Sequence, residues 1–164
     1  MRAIYLIGFM GSGKTSVATC LSKKLAIPLY DTDKYIEDYY NTSIPTIFSQ
    51  KGEKVFREYE TNVLKKLPTG DVIVSTGGGI IERRENMEWM TNHGLVIYLD
   101  TNWDEIVKRL KDDQNRPLWN DEELDKQKLF ERRLPVYKHA ASINVTTNQK
   151  SPEQIADEIL RLVE

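Results

Sequence analysis

Five short apolar runs punctuate the chain: Ala3-Ile4-Tyr5-Leu6-Ile7, the weaker Pro28-Leu29-Tyr30, Val72-Ile73-Val74, Leu95-Val96-Ile97-Tyr98-Leu99 and Ile143-Asn144-Val145. Between them the apolar positions recur at helical spacing, as in Val17, Ala18, Leu21 and Leu25. This spacing predicts helices near 14–25, 34–40, 53–66, 82–92, 103–112, 123–139 and 152–163. The last carries a clear start signal, with Ser151 as N-cap, Pro152 at the first helical position and Gln154 three residues after the cap. Short strands that alternate with helices predict a parallel, doubly wound α/β sheet. One stretch departs from the pattern. From Lys111 to Lys128 the chain is polar around Arg116-Pro117-Leu118-Trp119, a composition that suits either a mobile lid or a plain surface loop.

A length of 164 residues, without repeats or linkers, suits one domain spanning 1–164. A formal charge of −2 argues against nucleic acid or an anionic membrane as partner and favours small molecules. A monomer is expected, although the sequence does not give the oligomeric state. The first strand begins at the second or third residue and no apolar stretch approaches the ~20 residues of a membrane span, so a cytoplasmic location is expected. Cys20 is the single cysteine. It falls among the apolar positions of the first helix, where a buried thiol is expected rather than a catalytic one.

The chemistry starts directly after the first apolar run. Gly8-Phe9-Met10-Gly11-Ser12-Gly13-Lys14-Thr15 fits G-x-x-x-x-G-K-[ST], the phosphate-binding loop. A strand feeding a glycine-rich turn and then a helix aims successive backbone N–H groups, with those of Gly11, Ser12, Gly13 and Ser16 among the candidates, at a β-phosphate. Lys14 can reach the β- and γ-phosphates, and the Thr15 hydroxyl can coordinate the Mg²⁺ that accompanies a nucleoside triphosphate.

Asp31-Thr32-Asp33 follows the second run, and a spacing of two is expected to put both carboxylates on one face at the carboxyl end of that strand. The third strand runs into Ser75 and offers no acid, so Asp31 is the candidate to support Mg²⁺ through water. Asp33 is then free to act on an acceptor hydroxyl as base or orienter. A pair of turn-forming or helix-capping residues would look the same. Thr76-Gly77-Gly78-Gly79 suits a wall where backbone approaches an acceptor, or a flexible turn. Arg57 and Glu60 in Phe56-Arg57-Glu58-Tyr59-Glu60 can pair at i, i+3, either to orient a guanidinium or as a surface salt bridge. Arg132-Arg133-Leu134-Pro135-Val136-Tyr137 offers two more guanidiniums suited to carboxylate or phosphate, and spacing does not choose between them.

Taken together and in order, these segments resemble the shikimate kinases, which pair a P-loop with D-T-D, F-R-x-x-E, T-G-G-G, an R-P-L lid and R-x-P-x-Y. The resemblance runs from Ile4 to about Pro152. It implies a three-layer P-loop kinase fold, with a five-stranded parallel sheet flanked by helices and a mobile lid at about 111–128. It implies transfer of the ATP γ-phosphoryl group to the 3-hydroxyl of shikimate, in aromatic amino-acid and chorismate biosynthesis, with Mg²⁺. By resemblance Asp33 meets the ring hydroxyls, Arg57 and Arg133 hold the carboxylate, and the Gly78 and Gly79 backbone closes the pocket. Lys14 and Arg116 serve the phosphates, Arg116 arriving with the lid, and Arg109 lies against adenine. Two departures stand out: Trp119 where the family often has a second Leu, and a Thr146–Pro152 adenine loop without the usual Asp, offering Lys150 where Arg is frequent.

Two rivals fit part of the pattern. A gluconate-kinase-like small-acid kinase has a similar build, and two arginines, an aspartate and a glycine turn do not exclude an open-chain acid. A P-loop regulatory NTPase is disfavoured, because the guanine-reading N-K-x-D and the switch D-x-x-G are both absent. His93, His139 and Cys20 form no metal-ligand spacing.

Overall fold

The computed structural model describes residues 1–112 and 123–163. In chain order the elements are β1 (Ala3–Ile7), α1 (Lys14–Leu25), β2 (Leu29–Asp31), α2 (Thr32–Tyr40), α3 (Ile44–Lys66), β3 (Ile73–Ser75) and a 3₁₀ turn at Ile80–Glu82. Then follow α4 (Arg84–His93), β4 (Gly94–Asp100), α5 (Trp103–Lys111), α6 (Glu123–Ala140), β5 (Ile143–Thr146) and α7 (Pro152–Val163). All four strand pairings are parallel, in the order β2-β3-β1-β4-β5. This is the three-layer P-loop kinase fold with the five-stranded sheet expected from the sequence.

Alternation along β1 explains the layers, because successive side chains of a strand point to opposite faces. Ala3, Tyr5 and Ile7 enter one core with Leu64, Met90, Ile106, Leu110, Phe130 and Tyr137, from α3, α4, α5 and α6. Ile4 and Leu6 enter the other, against Val17 and Leu21 of α1 and Ile155 and Ile159 of α7. Both faces are covered, so the strands read as continuous apolar runs rather than as alternation. Each fully buried Leu or Ile contributes roughly 1.5–3 kcal/mol. A third, smaller cluster of Ile36, Ile47, Phe56 and Val63 lies between α2 and α3, with Tyr35, Tyr40, Ile44 and Tyr59 packed on it.

Three local expectations change. The helix expected over 53–66 begins at Ile44, where the Ser43 hydroxyl accepts the Thr46 N–H and Pro45 occupies the first turn. Gly52, at φ 85°, breaks it into two arms, which is why the periodicity registered only after that glycine. The chain enters α2 at Thr32, so Asp31 ends the strand while Asp33 sits in the first helical turn, not on a shared strand face. Cys20 is partly buried against the α1–α7 core rather than fully enclosed.

The structure also bounds the expected lid at 111–128: α5 runs through Lys111, and α6 already starts at Glu123. Arg116 and Trp119 lie outside the described residues. Trp103, on α5, packs 6.2 Å from the Phe9 ring of the P-loop and 5.4 Å from Phe130 of α6. Among the described residues no helix is long and apolar enough to cross a membrane.

Candidate active site

Strand order reverses around β1, which has β3 on one side and β4 on the other, and its carboxyl end opens into the crevice where such sheets bind ligands. The P-loop occupies that end. Gly11 and Gly13 take φ of 82° and 91°, left-handed values that side-chain-bearing residues resist, and Gly13 caps α1. The Lys14 ammonium donates to the carbonyls of Gly8 (2.6 Å) and Phe9 (3.1 Å) across the loop. The loop is also braced from outside. Arg109 Nη1 donates to the Gly11 carbonyl at 3.1 Å while its Nη2 pairs with Glu105 at 2.8 Å. The Thr101 hydroxyl donates to the Ser12 carbonyl at 3.4 Å and meets the Thr147 hydroxyl.

A cavity of about 370 Å³ opens beside the loop, lined by Gly11, Gly13, Lys14, Thr15 and Ser16, by Asp31 and Asp33, and by Ser75 to Gly78. Phosphate-loop and acceptor candidates therefore share one wall. A neighbouring cavity of about 230 Å³, lined by Ser12, Gly13, Ser16, Arg109, Lys150 and Pro152, brings together the residues expected around adenine. Lys150 there also pairs with Glu158 at 2.8 Å. A wider groove between α4 and the α6–β5 junction, about 790 Å³, lies against Met87, Glu88 and His139. It holds neither the glycine cradle nor the buried charges of phosphate chemistry.

Asp31 Oδ1 accepts the backbone N–H groups of Asp33 (3.0 Å) and Lys34 (3.3 Å), capping α2. Its second oxygen has no hydrogen-bond partner among the described residues, and Asp31 lines the cavity that Thr15 also lines. A carboxylate and a hydroxyl are hard oxygen donors of the kind Mg²⁺ takes together with water, so the pair fits the ion. Burial, reinforced by the Asp31 charge, raises the Asp33 carboxyl above the usual aspartate range, with Lys14 and Arg57 pulling it back. The middle residue of the trio is also engaged, because the Gly77 N–H donates to the Thr32 hydroxyl at 2.9 Å and so ties α2 to the glycine turn. Thr76 pins the same turn to β1 through the Leu6 carbonyl at 2.8 Å.

That turn is glycine because charged side chains crowd it. A Cβ on Gly77 would fall 2.6 Å from Asp33 Oδ1, and one on Gly79 would run into the Arg57 guanidinium. Arg57 donates to Glu60 at 3.0 Å and to Glu53 at 3.4 Å. Glu60 is buried, and burial pushes its carboxyl up to about 7 although the Arg57 charge and hydrogen bond oppose this. On α6 the two arginines separate. Arg133 is 6% exposed, its Nη1 3.5 Å from where a Gly78 Cβ would stand, whereas Arg132 is 57% exposed and grips Glu82. Of the two, Arg133 is the one packed beside the glycine turn. The Tyr137 hydroxyl donates to the Gly78 carbonyl at 2.5 Å, and burial raises that phenol to about 12, so it stays a donor at neutral pH.

Tyr137, Thr32, Thr76 and Glu82 support the site without standing out in the sequence. Tyr137 and Thr32 are visible there only as members of R-x-P-x-Y and D-T-D. Thr76 is visible as the first residue of T-G-G-G, and nothing local marks Glu82, whose partner Arg132 is far along the chain.

Comparison with known proteins turns this geometry into a family. The shikimate kinase family profile matches residues 10–164. The chain belongs to the shikimate kinase family. It is 45% identical to the shikimate kinase of Bacillus cytotoxicus over 164 residues, covering 99% of both chains. Its fold superposes on the shikimate kinase of Acinetobacter baumannii in complex with shikimate with a TM-score of 0.92, at 36% identity, covering 99% of this chain and 93% of the other. For the Aquifex aeolicus shikimate kinase the TM-score is 0.87, at 40% identity, covering 98% and 95%. The chain is thus an ATP-dependent phosphotransferase acting on an alcohol group, with ATP as co-substrate.

Proposed function

We propose that residues 1–164 act as one domain and one monomer, transferring the ATP γ-phosphoryl group to the 3-hydroxyl of shikimate through the residues around the P-loop cavity. The observation that carries the reading is the shared wall: Lys14 and Thr15 line the same cavity as Asp33, Gly77 and Gly78. Donor and acceptor then need no large rearrangement to meet, which is how positioning lowers the barrier of phosphoryl transfer.

In this reading the P-loop amides, Lys14 and Arg116 hold the β- and γ-phosphates, and Arg109 and Lys150 line the base. The acceptor carboxylate lies between Arg57 and Arg133, with the Gly78 and Gly79 backbone closing over the ring. Asp33 takes the hydroxyl proton as the hydroxyl oxygen bonds the γ-phosphorus, and the bridging oxygen leaves with the electron pair as ADP. The raised Asp33 carboxyl makes it a stronger base than an exposed aspartate. Thr15 directly, and Asp31 through water, would hold Mg²⁺, which supplies neutralisation of charge on the phosphate oxygens.

ADP release, coupled to NADH oxidation, should be fast with shikimate and at background with quinate, gluconate or no acceptor. Equal ADP release with and without shikimate would make the protein an ATPase and end the reading.

A further inference from the structure

Glu82 ends the 3₁₀ turn that follows the glycine turn, and its carboxylate stands between the two arginines of α6. The geometry is lopsided. Arg132 holds Glu82 with both nitrogens, Nη1 to Oε1 at 3.1 Å and Nη2 to Oε2 at 2.7 Å. Arg133 Nη2 stands 3.6 Å from that same Oε2, beyond hydrogen-bond length. The Arg133 Nε is buried and has no hydrogen-bond partner among the described residues. The nearly enclosed guanidinium lies over the Phe9 ring and against the Tyr137 hydroxyl, and its Nε stays unsatisfied beside an anion that could draw closer to it. What holds that anion at ion-pair distance, short of hydrogen-bond contact with Arg133, is the fork on its other side, since a bidentate arginine–carboxylate pair fixes both oxygens.

From this we infer that Arg132 is a positioning residue that never touches the acceptor: by clamping Glu82 it stops an internal carboxylate from occupying Arg133, and so keeps Arg133 open to the acceptor's carboxylate. The inference rests on the proposed role of Arg133. Glu82 is in effect a competitor carried by the chain, and Arg132 neutralises it. Removing the clamp lets Glu82 close the last ångström onto Arg133, and the substrate must then displace it. Removing Glu82 as well abolishes the competition and makes Arg132 dispensable.

Steady-state kinetics with shikimate varied at saturating ATP, and then the reverse, test this on the full-length protein. Arg132→Ala is expected to raise KM for shikimate roughly 5- to 50-fold, the scale of one charge-assisted contact, with KM for ATP unchanged. Arg132→Lys, which keeps the charge without the fork, should fall between. The decisive variant is the double change Arg132→Ala with Glu82→Gln, expected to return KM for shikimate close to the wild-type value. Wild-type KM in Arg132→Ala, or a double variant as impaired as the single one, overturns the inference. Arg133→Ala separates the two readings. If it raises KM for shikimate while Arg132→Ala does not, only the clamp is wrong; if it leaves KM unchanged, Arg133 does not hold the acceptor and the clamp falls with it. Melting temperatures keep misfolding out of the comparison, and Arg132 is exposed enough for truncation to leave the core intact.

Discussion

Glu60 shows how strongly a single buried carboxyl can be coupled to acidity. Its folded value of about 7 lies above the ordinary 4.5, so the native state keeps the proton over a window where the unfolded chain has lost it. Stability rises with pH only where the unfolded state binds more protons. Here the native state binds more, so this group costs stability as pH climbs from about 4.5 to about 7. Glu60→Gln removes that slope. The stability of wild type relative to Glu60→Gln, from urea unfolding, is expected to be higher at pH 5 than at pH 7.5; a difference independent of pH would mean that Glu60 is ionised throughout. The Arg57–Glu60 pair was legible at i, i+3. That its acid partner is buried was not, because local spacing carries no information about what packs from above.

At the level of elements, Asp31 has two roles that can be pulled apart. It caps α2 through Oδ1 and is proposed to support Mg²⁺ through water. Asparagine caps a helix about as well as aspartate but carries no charge, whereas alanine loses the cap at a cost of about 1 kcal/mol. Asp31→Asn should therefore keep the melting temperature and raise the Mg²⁺ concentration needed for half-maximal rate, while Asp31→Ala should do both kinds of damage. Unchanged Mg²⁺ dependence in Asp31→Asn would reduce Asp31 to a cap. The D-T-D pattern assumes a strand continuing through Asp33, whereas the cap turns the chain into a helix at Thr32. The arm over 44–51 escapes for a related reason, since Gly52 interrupts the periodicity by which a helix is recognised in sequence.

For the whole molecule, the elements and the P-loop could be read locally, but the strand order β2-β3-β1-β4-β5 and the burial that separates Arg133 from Arg132 depend on contacts far apart in sequence. Ligand linkage probes the assembled site. A ligand at 100 times its Kd stabilises the native state by about 2.7 kcal/mol. A non-hydrolysable ATP analogue with Mg²⁺, and shikimate, should each raise the melting temperature of the wild type, and Lys14→Ala should keep the shikimate shift while losing most of the nucleotide shift. Loss of both would point to a wider collapse of the cavity. The separate cluster of Ile36, Ile47, Phe56 and Val63 carries a further consequence. Because α2 and the first arm of α3 rest on a small core of their own, that part of the acceptor side forms a cooperative unit that can open while the sheet stays folded. Amide protons of α2 and of 44–51 should then exchange with solvent faster than those of β1 and β4, and shikimate should slow them by closing the unit from the inside.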